Sequence, residues 1–148
     1  MSPTGGQSGR RSAEVVGQLR EWALKTKAGP IFDSSTGFKL RDGSVRSPDA
    51  AWVRSDRWHA LTSEEQEAFP PLCPDAAFEI LLRTDSIEEL RAKMQSYAGN
   101  GTPIAVLVDP YGQRVELHRP NSSPTTAEYE TVSLDPELPG FTLDLRAL

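Results

Sequence analysis

Two runs of apolar residues, separated by an amphipathic segment, constrain the fold of this chain most strongly. Residues 76–82 (AAFEILL) and 104–108 (IAVLV) are apolar on both faces of an extended chain, which is typical of strands buried between two layers. Residues 87–98 between them have the spacing of a helix with one apolar face. That face carries Ile87, Leu90, Met94 and Tyr97. Strand, helix and strand with short connections predict a right-handed unit with two parallel strands.

The N-terminal part of the chain predicts a loop followed by a helix. Residues 1–10 are rich in Gly and Ser and predict a flexible loop. Residues 12–27 carry apolar side chains at helical spacing, and Gly29 and Pro30 end the pattern. This helix would cover one face of the sheet that the apolar strands form.

Two further patterns predict antiparallel strands. Residues 38–40 and 45–53 flank an Asp-Gly turn, which favours a hairpin. Pro48 has no backbone donor, so the second strand should have a bulge or an edge there. Residues 114–118 alternate between polar and apolar types and predict a half-exposed strand with His118 facing solvent. The order of all these elements predicts an α/β fold with a mixed sheet and helices on its faces.

Length and composition exclude several classes of protein. The chain has 148 residues, which favours one domain over residues 1–148. One cysteine and two histidines exclude an internal disulfide and argue against a zinc site built from these residues. No apolar run approaches the roughly 20 residues of a transmembrane helix, and residues 1–16 lack the apolar stretch of a signal peptide. We therefore expect a cytoplasmic protein without membrane contact.

The charge is unevenly distributed along the chain. The net charge of −5 argues against nucleic acid as a partner. Residues 1–46, however, hold eight Lys and Arg against four acids, whereas the rest holds eight against 17. Such a basic segment can attract phosphates locally, but from the charge alone the preferred explanation is that these basic residues are solvated on a helix surface. If DNA binds, we expect Arg10, Arg11 and Lys39 to contact it and binding to weaken with salt.

Glu79 and Asp49 are unusual for the strands in which they lie. Glu79 has apolar neighbours on both faces, and a buried carboxylate needs a cation, a metal ion or a proton. A structural ion pair with an arginine is one explanation. Asp49 follows Pro48 in a predicted strand, where aspartate is disfavoured unless it caps a turn. If the two strands pair, both carboxylates converge and can bind a hard cation such as Mg²⁺.

Lys93 lies on the flank of the apolar face of the predicted helix over residues 87–98. From there its ammonium can reach the end of the strand that carries Glu79. The structural alternative is a lysine that extends along the helix into solvent.

Several short motifs, in this order, resemble the Uma-two family of restriction-endonuclease-like proteins. They are STGF (35–38), SPDAAWV (47–53), CPD (73–75) with a Glu four residues later, and LRAKM-x-x-Y (90–97). The resemblance covers nearly the whole chain. The family belongs to the PD-(D/E)XK nuclease superfamily, so the resemblance implies a restriction-endonuclease-like core: a central mixed sheet flanked by helices.

The resemblance also implies a bacterial endonuclease that needs Mg²⁺ (or Mn²⁺) and cleaves DNA phosphodiester bonds. The superfamily motif matches Pro48-Asp49 and Glu79. The resemblance implies that Asp49 and Glu79 are the metal ligands. The motif lysine normally stands two residues after the second acid, but Leu81 occupies that position here. The resemblance implies that Lys93 takes its place, so that Asp49, Glu79 and Lys93 are the catalytic residues. DNA is the implied partner, and a homodimer is compatible with this reading.

The chain departs from the family at further points, among them the following. Relatives carry Ser-Pro-Ser-Asp where residues 82–85 read LRTD. Relatives also begin with a hairpin before the MSPTGG segment, whereas this chain begins at that segment, so we expect an unpaired sheet edge. Two alternatives follow: a catalytically decayed nuclease-fold protein that binds DNA or protein, and a metal-dependent phosphodiesterase acting on small substrates.

Overall fold

The computed structural model describes residues 3–148. In chain order its elements are α1 (Gly6–Thr26), β1 (Ile31–Phe32), β2 (Phe38–Lys39), β3 (Val45–Arg46), β4 (Ala50–Trp52), α2 (Ser55–His59), α3 (Ser63–Glu67), β5 (Ala76–Ile80), α4 (Ile87–Gly99), β6 (Ile104–Asp109), β7 (Arg114–His118), β8 (Thr125–Ala127), β9 (Thr131–Ser133), β10 (Thr142–Asp144) and a short 3-10 helix (Leu145–Ala147). Across residues 3–148, every helix is too short or too polar to span a bilayer.

Six strands form a central sheet in the order β1-β4-β5-β6-β7-β8. β5 and β6 are parallel neighbours, and α4 connects them along the chain. The other neighbouring pairs of this sheet are antiparallel. Gly101, at a φ of 99°, makes the tight return from α4 to β6 in a conformation that suits glycine. The predicted parallel unit and the predicted mixed sheet are confirmed.

Each face of the sheet has its own apolar core. On one face, α1 and the β9–β10 hairpin pack against the sheet, and Trp22 of α1 meets Trp52 of β4 edge to face with ring centroids 5.1 Å apart. On the other face, α4 packs through Leu90, Met94 and Tyr97, as its spacing predicts. Successive residues of a strand point to opposite faces, so alternate side chains of β5 belong to different cores: Ala76, Phe78 and Ile80 to the first and Ala77 to the second.

The N-terminal loop predicted over residues 1–10 is wrong for residues 6–10, because α1 already begins at Gly6. Residues 1 and 2 lie outside the described residues. Gly5 caps the helix without a side-chain hydrogen bond, so local propensity does not explain the early start. The Arg10 guanidinium donates to the backbone oxygens of Ala147 and Leu148 at 2.9 and 2.7 Å. We attribute the extra turn to this tertiary contact with the C-terminus.

The half-exposed character predicted for residues 114–118 is also wrong. Glu116 and His118 are 4% and 1% exposed, because α4 covers their face of the sheet. Arg91 of α4 donates to Glu116 at 2.6 Å, and the Gln95 side chain lies 3.0 Å from the His118 ring. A polar and apolar alternation therefore marks a strand with a buried polar network as well as one that faces water.

Candidate active site

A cleft of about 480 Å³ opens at the carboxyl end of β5, between the first turns of α1 and the start of α4. Its charged lining residues are Arg46, Asp49, Glu79, Asp85, Glu89 and Lys93. Hydroxyl groups of Ser8 and Ser12 on α1 line the same space. The structure therefore brings together the three residues that the sequence singles out, from three separate elements.

Asp49 enters the cleft at the point where β4 begins. The pairing of β4 with β5 joins Ala50 to Phe78, and continuing that register by one residue places Asp49 across from Glu79. Because Pro48 has no N–H, the ladder stops there. The Asp49 carboxylate instead accepts the backbone N–H of Ile80, with N and Oδ2 2.7 Å apart. This bond directs Asp49 towards β5 rather than towards a local turn.

Glu79 lies in the middle of a fully buried strand and is itself only 4% exposed. Its Oε2 accepts two hydrogen bonds, one from the Tyr97 hydroxyl at 2.8 Å and one from Lys93 Nζ at 2.8 Å. No donor among residues 3–148 reaches Oε1, which leaves that atom for a ligand in the cleft. The partner of Glu79 is thus a lysine together with a tyrosine, and not the arginine of the structural alternative.

Both carboxylates are electrostatically unfavourable in their ionised forms. Burial, and secondly the charge of Asp49, raise the pKa of Glu79 to about 7, while Lys93 and Tyr97 oppose that rise. Burial likewise raises the pKa of Asp49, against the hydrogen bond from Ile80 and the charge of Lys93. Perturbed carboxylates that share a cleft with a specific cation are typical of functional sites.

Lys93 and Tyr97 reach Glu79 together because they are four residues apart on α4. The Lys93 side chain is 27% exposed, so its ammonium faces the cleft as well as Glu79. Its predicted position beside one of the carboxylates is confirmed. The burial of Tyr97 follows from its place on the apolar face of α4, but its bond to Glu79 was not expected. Its spacing from Lys93 is the signal that could have revealed that bond.

The donor set of the cleft fits a hard divalent cation. Mg²⁺ is usually held by one or two carboxylates, with waters and substrate phosphates completing its shell. Asp49 and Glu79 supply two such groups, and a cation would relieve the repulsion between them. In the part of the chain that is described, no group of three or more His, Cys, Asp or Glu residues could hold a metal ion. Two carboxylates match the number that the protein usually supplies to Mg²⁺.

The basic residues expected to contact DNA lie outside this cleft. Arg10 and Arg11 both reach the backbone oxygen of Leu148, at 2.7 and 3.4 Å. The Arg11 guanidinium also lies over the Tyr111 ring, 5.2 Å from its centroid. Lys39 is exposed and lines a separate cavity. A contact of these residues with DNA remains a prediction.

Fold and cleft together define an α/β protein with a central mixed sheet and a cleft that holds two carboxylates and a lysine. The chain belongs to the Uma2 family, whose model carries the description "Putative restriction endonuclease" and matches residues 1–146. This family membership confirms the resemblance drawn from the motifs.

The solved structures that are similar to this chain include one crystal structure and one cryoEM structure. The crystal structure of "a putative nuclease belonging to DUF820 from Anabaena variabilis ATCC 29413" has a TM-score of 0.80 at 18% identity, over 99% of this chain and 82% of that one. At such low identity the likeness concerns the fold. The cryoEM structure of a DrdV–DNA complex has a TM-score of 0.46 at 13% identity, over 74% of this chain and 9% of that one, and supports no argument. No curated protein matches the chain.

Proposed function

We propose that this protein is an endonuclease of the PD-(D/E)XK type, which hydrolyses DNA phosphodiester bonds with the help of Mg²⁺ or Mn²⁺. The observation that carries the proposal is the convergence of Asp49, Glu79 and Lys93 on one cleft. Membership of a family described as restriction endonucleases supports the same activity.

Asp49 and Glu79 would hold the cation. When bound, such an ion makes a water more acidic and offsets the negative charge of the phosphate. A carboxylate must lose its proton before it can bind a cation. Because the pKa of Glu79 is about 7, we expect cation binding to strengthen as the pH rises through that value.

Lys93 and Tyr97 complete the site from α4. The ammonium of a lysine has three N–H donors, and Glu79 uses one of those of Lys93. The others face the cleft, where they can orient the attacking water or stabilise negative charge on a phosphate oxygen. The Tyr97 hydroxyl, fixed by the buried ring, holds Glu79 Oε2 in place and is a positioning group.

Positive charge beside the cleft supports DNA as the substrate despite the net charge of −5. Arg83 belongs to the loop after β5 that lines the cleft, and its guanidinium lies 4.6 Å from the Tyr111 ring centroid. Arg11 lies over the same ring. These two arginines concentrate positive charge around one ring, where a DNA backbone can approach, so affinity should fall as the salt concentration rises.

Incubation of the purified protein with supercoiled plasmid and Mg²⁺ or Mn²⁺ tests the proposal. The wild type should nick the plasmid, and Asp49→Asn and Glu79→Gln should not. Glu89→Gln is the matched control, because Glu89 lines the same cleft and loses the same charge. Equal nicking by wild type and Glu79→Gln would contradict the proposal.

Two further assays, used beside plasmid nicking, separate the alternatives. A decayed nuclease that only binds DNA or protein could keep the same two carboxylates. Among residues 3–148, no group of three or more possible metal ligands is found. A decayed nuclease would bind plasmid in a gel-shift assay without nicking it. A phosphodiesterase for small substrates would hydrolyse bis(p-nitrophenyl) phosphate and leave plasmid intact. A cytoplasmic location and a homodimer remain predictions.

A further inference from the structure

Arg46 lines the cleft but is neither a metal ligand nor a positioning group in the proposed cleavage reaction. It is the last residue of β3, where it pairs with Phe38 of β2, and it stands three residues before Asp49. The β2–β3 hairpin thus brings a second cation into the space that already holds Lys93. This placement depends on the hairpin, and no local sequence pattern indicates it.

The guanidinium of Arg46 has a donor that the protein leaves without a partner. Its Nε is buried and has no hydrogen-bond partner, and no ion pair joins Arg46 to a carboxylate within residues 3–148. The acid on the same hairpin, Asp42, accepts from Ser44 and Asn100 instead. Buried polar groups are nearly always hydrogen-bonded, and an exception calls for an explanation.

The other cation of the cleft shows the contrast. Lys93 is bonded to Glu79 Oε2, and Tyr97 takes the second position on that oxygen. Burial raises the pKa of Tyr97, and the charge of Arg46 opposes that rise, so the guanidinium lies within electrostatic range of Tyr97 without bonding to it. A cation that lines the same cleft as the two carboxylates and forms an ion pair with neither is suited to a negatively charged ligand.

We propose that Arg46 binds a phosphate oxygen of the substrate in this cleft, as a phosphate-binding residue distinct from the metal ligands. The proposal rests on the proposed nuclease function for its substrate class. The planar guanidinium matches the oxygens of a phosphate in a bidentate manner, which an ammonium cannot reproduce. The hydroxyls of Ser12 and Ser34 line the same space and can donate to the same group.

The charge balance of the cleft supports this role. A phosphodiester carries one negative charge, and Asp49 and Glu79 would repel it. Asp85 and Glu89 line the cleft as well. Arg46 and Lys93 therefore offset the repulsion in part, and a bound cation would supply the rest. A donor that is already in place when the phosphate arrives needs little reorganisation, which is the condition for efficient stabilisation of developing charge.

The test compares Arg46→Gln and Arg46→Lys with Arg20→Gln, which removes one exposed positive charge from α1. Thermal melting comes first: since Arg46 has no acceptor in the described chain, Arg46→Gln should melt within a few degrees of the wild type. In plasmid cleavage, Arg46→Gln should lose at least about tenfold in kcat/KM, and Arg46→Lys should recover part of that loss. The logarithm of the affinity for a labelled duplex is then plotted against the logarithm of the salt concentration. The slope should become less steep by about 0.9 in Arg46→Gln alone, as expected for the loss of one phosphate contact.

A second probe separates failure of this inference from failure of the nuclease proposal. Inorganic phosphate, compared with chloride at equal ionic strength, should raise the melting temperature of the wild type and of Arg20→Gln by more than that of Arg46→Gln, because the general stabilisation by excluded phosphate is common to all three. If the wild type does not cut plasmid, this difference alone decides the inference. Cleavage, salt slope and phosphate response that are all unchanged in Arg46→Gln would overturn it and leave the nuclease proposal standing. A loss of folding in both Arg46 variants would also overturn it, because Arg46 would then be structural.

Discussion

Replacing Glu79 by glutamine should make the folded protein more stable at alkaline pH while it removes the proposed activity. In the folded state the pKa of Glu79 is raised from 4.5 to about 7, first by burial and then by Asp49. Between these two pH values the folded state keeps a proton that the unfolded state has lost. The free energy of unfolding therefore falls as the pH rises through this window.

The size of this effect follows from the two pKa values. One pKa unit corresponds to about 1.4 kcal/mol, so a rise from 4.5 to about 7 costs the ionised protein at most about 3 kcal/mol. Glutamine resembles the protonated acid, but it leaves Lys93 without its partner. We therefore expect Glu79→Gln to gain about 1 to 3 kcal/mol at pH 8.5, which is an increase of about 3 to 10 °C in melting temperature.

Thermal melts of both proteins in EDTA, at pH 5 and at pH 8.5, measure this difference. At pH 5 the folded wild type holds its proton, so the two melting temperatures should nearly coincide. Glu89→Gln, which removes an exposed carboxylate from the same cleft, should show no comparable gain. If Glu79→Gln is destabilised by the same amount at both pH values, the ionised carboxylate is not the strained form and the reasoning is refuted.

Three further predictions concern the site and its support. Tyr97→Phe removes the 2.8 Å hydrogen bond to Glu79 and should therefore raise the pKa of that acid further. In a plot of nicking rate against pH, the rise on the acidic side should move to higher pH, and an unchanged position would contradict this. At pH 8, Mg²⁺ should raise the melting temperature of the wild type but not of Asp49→Asn, since a ligand stabilises only the form that binds it; equal shifts would place the cation elsewhere. Met94→Ala empties a fully buried position on α4 and should cost about 2 to 5 kcal/mol in urea unfolding, whereas a cost below about 1 kcal/mol would mean that α4 repacks.

The main elements could be predicted from local patterns because their causes are local. The apolar runs at β5 and β6 cannot face water on either side, and the helical spacing of α4 gives it one apolar face. The missing donor of Pro48 interrupts its strand wherever that strand lies. These features also made Asp49 and Glu79 unusual for their positions.

The surroundings of each polar side chain depend instead on elements that are distant in the sequence. Alternation in residues 114–118 could not reveal that Arg91 of α4 would cover Glu116 and that Gln95 would cover His118. The first turn of α1 begins at Gly6, and we attribute this to the C-terminal backbone oxygens that Arg10 binds.

The same division holds for the candidate site. Residue types and their periodicity determine which face each side chain takes, so the sequence was sufficient to select Asp49, Glu79 and Lys93. The burial and the electrostatic environment of each of these side chains depend on every element that packs around the cleft. The hydroxyl of Tyr97 on Glu79 and the unpartnered Arg46 arise only where α4 and the β2–β3 hairpin come together, because a hydrogen bond requires contact and desolvation sums over all neighbours.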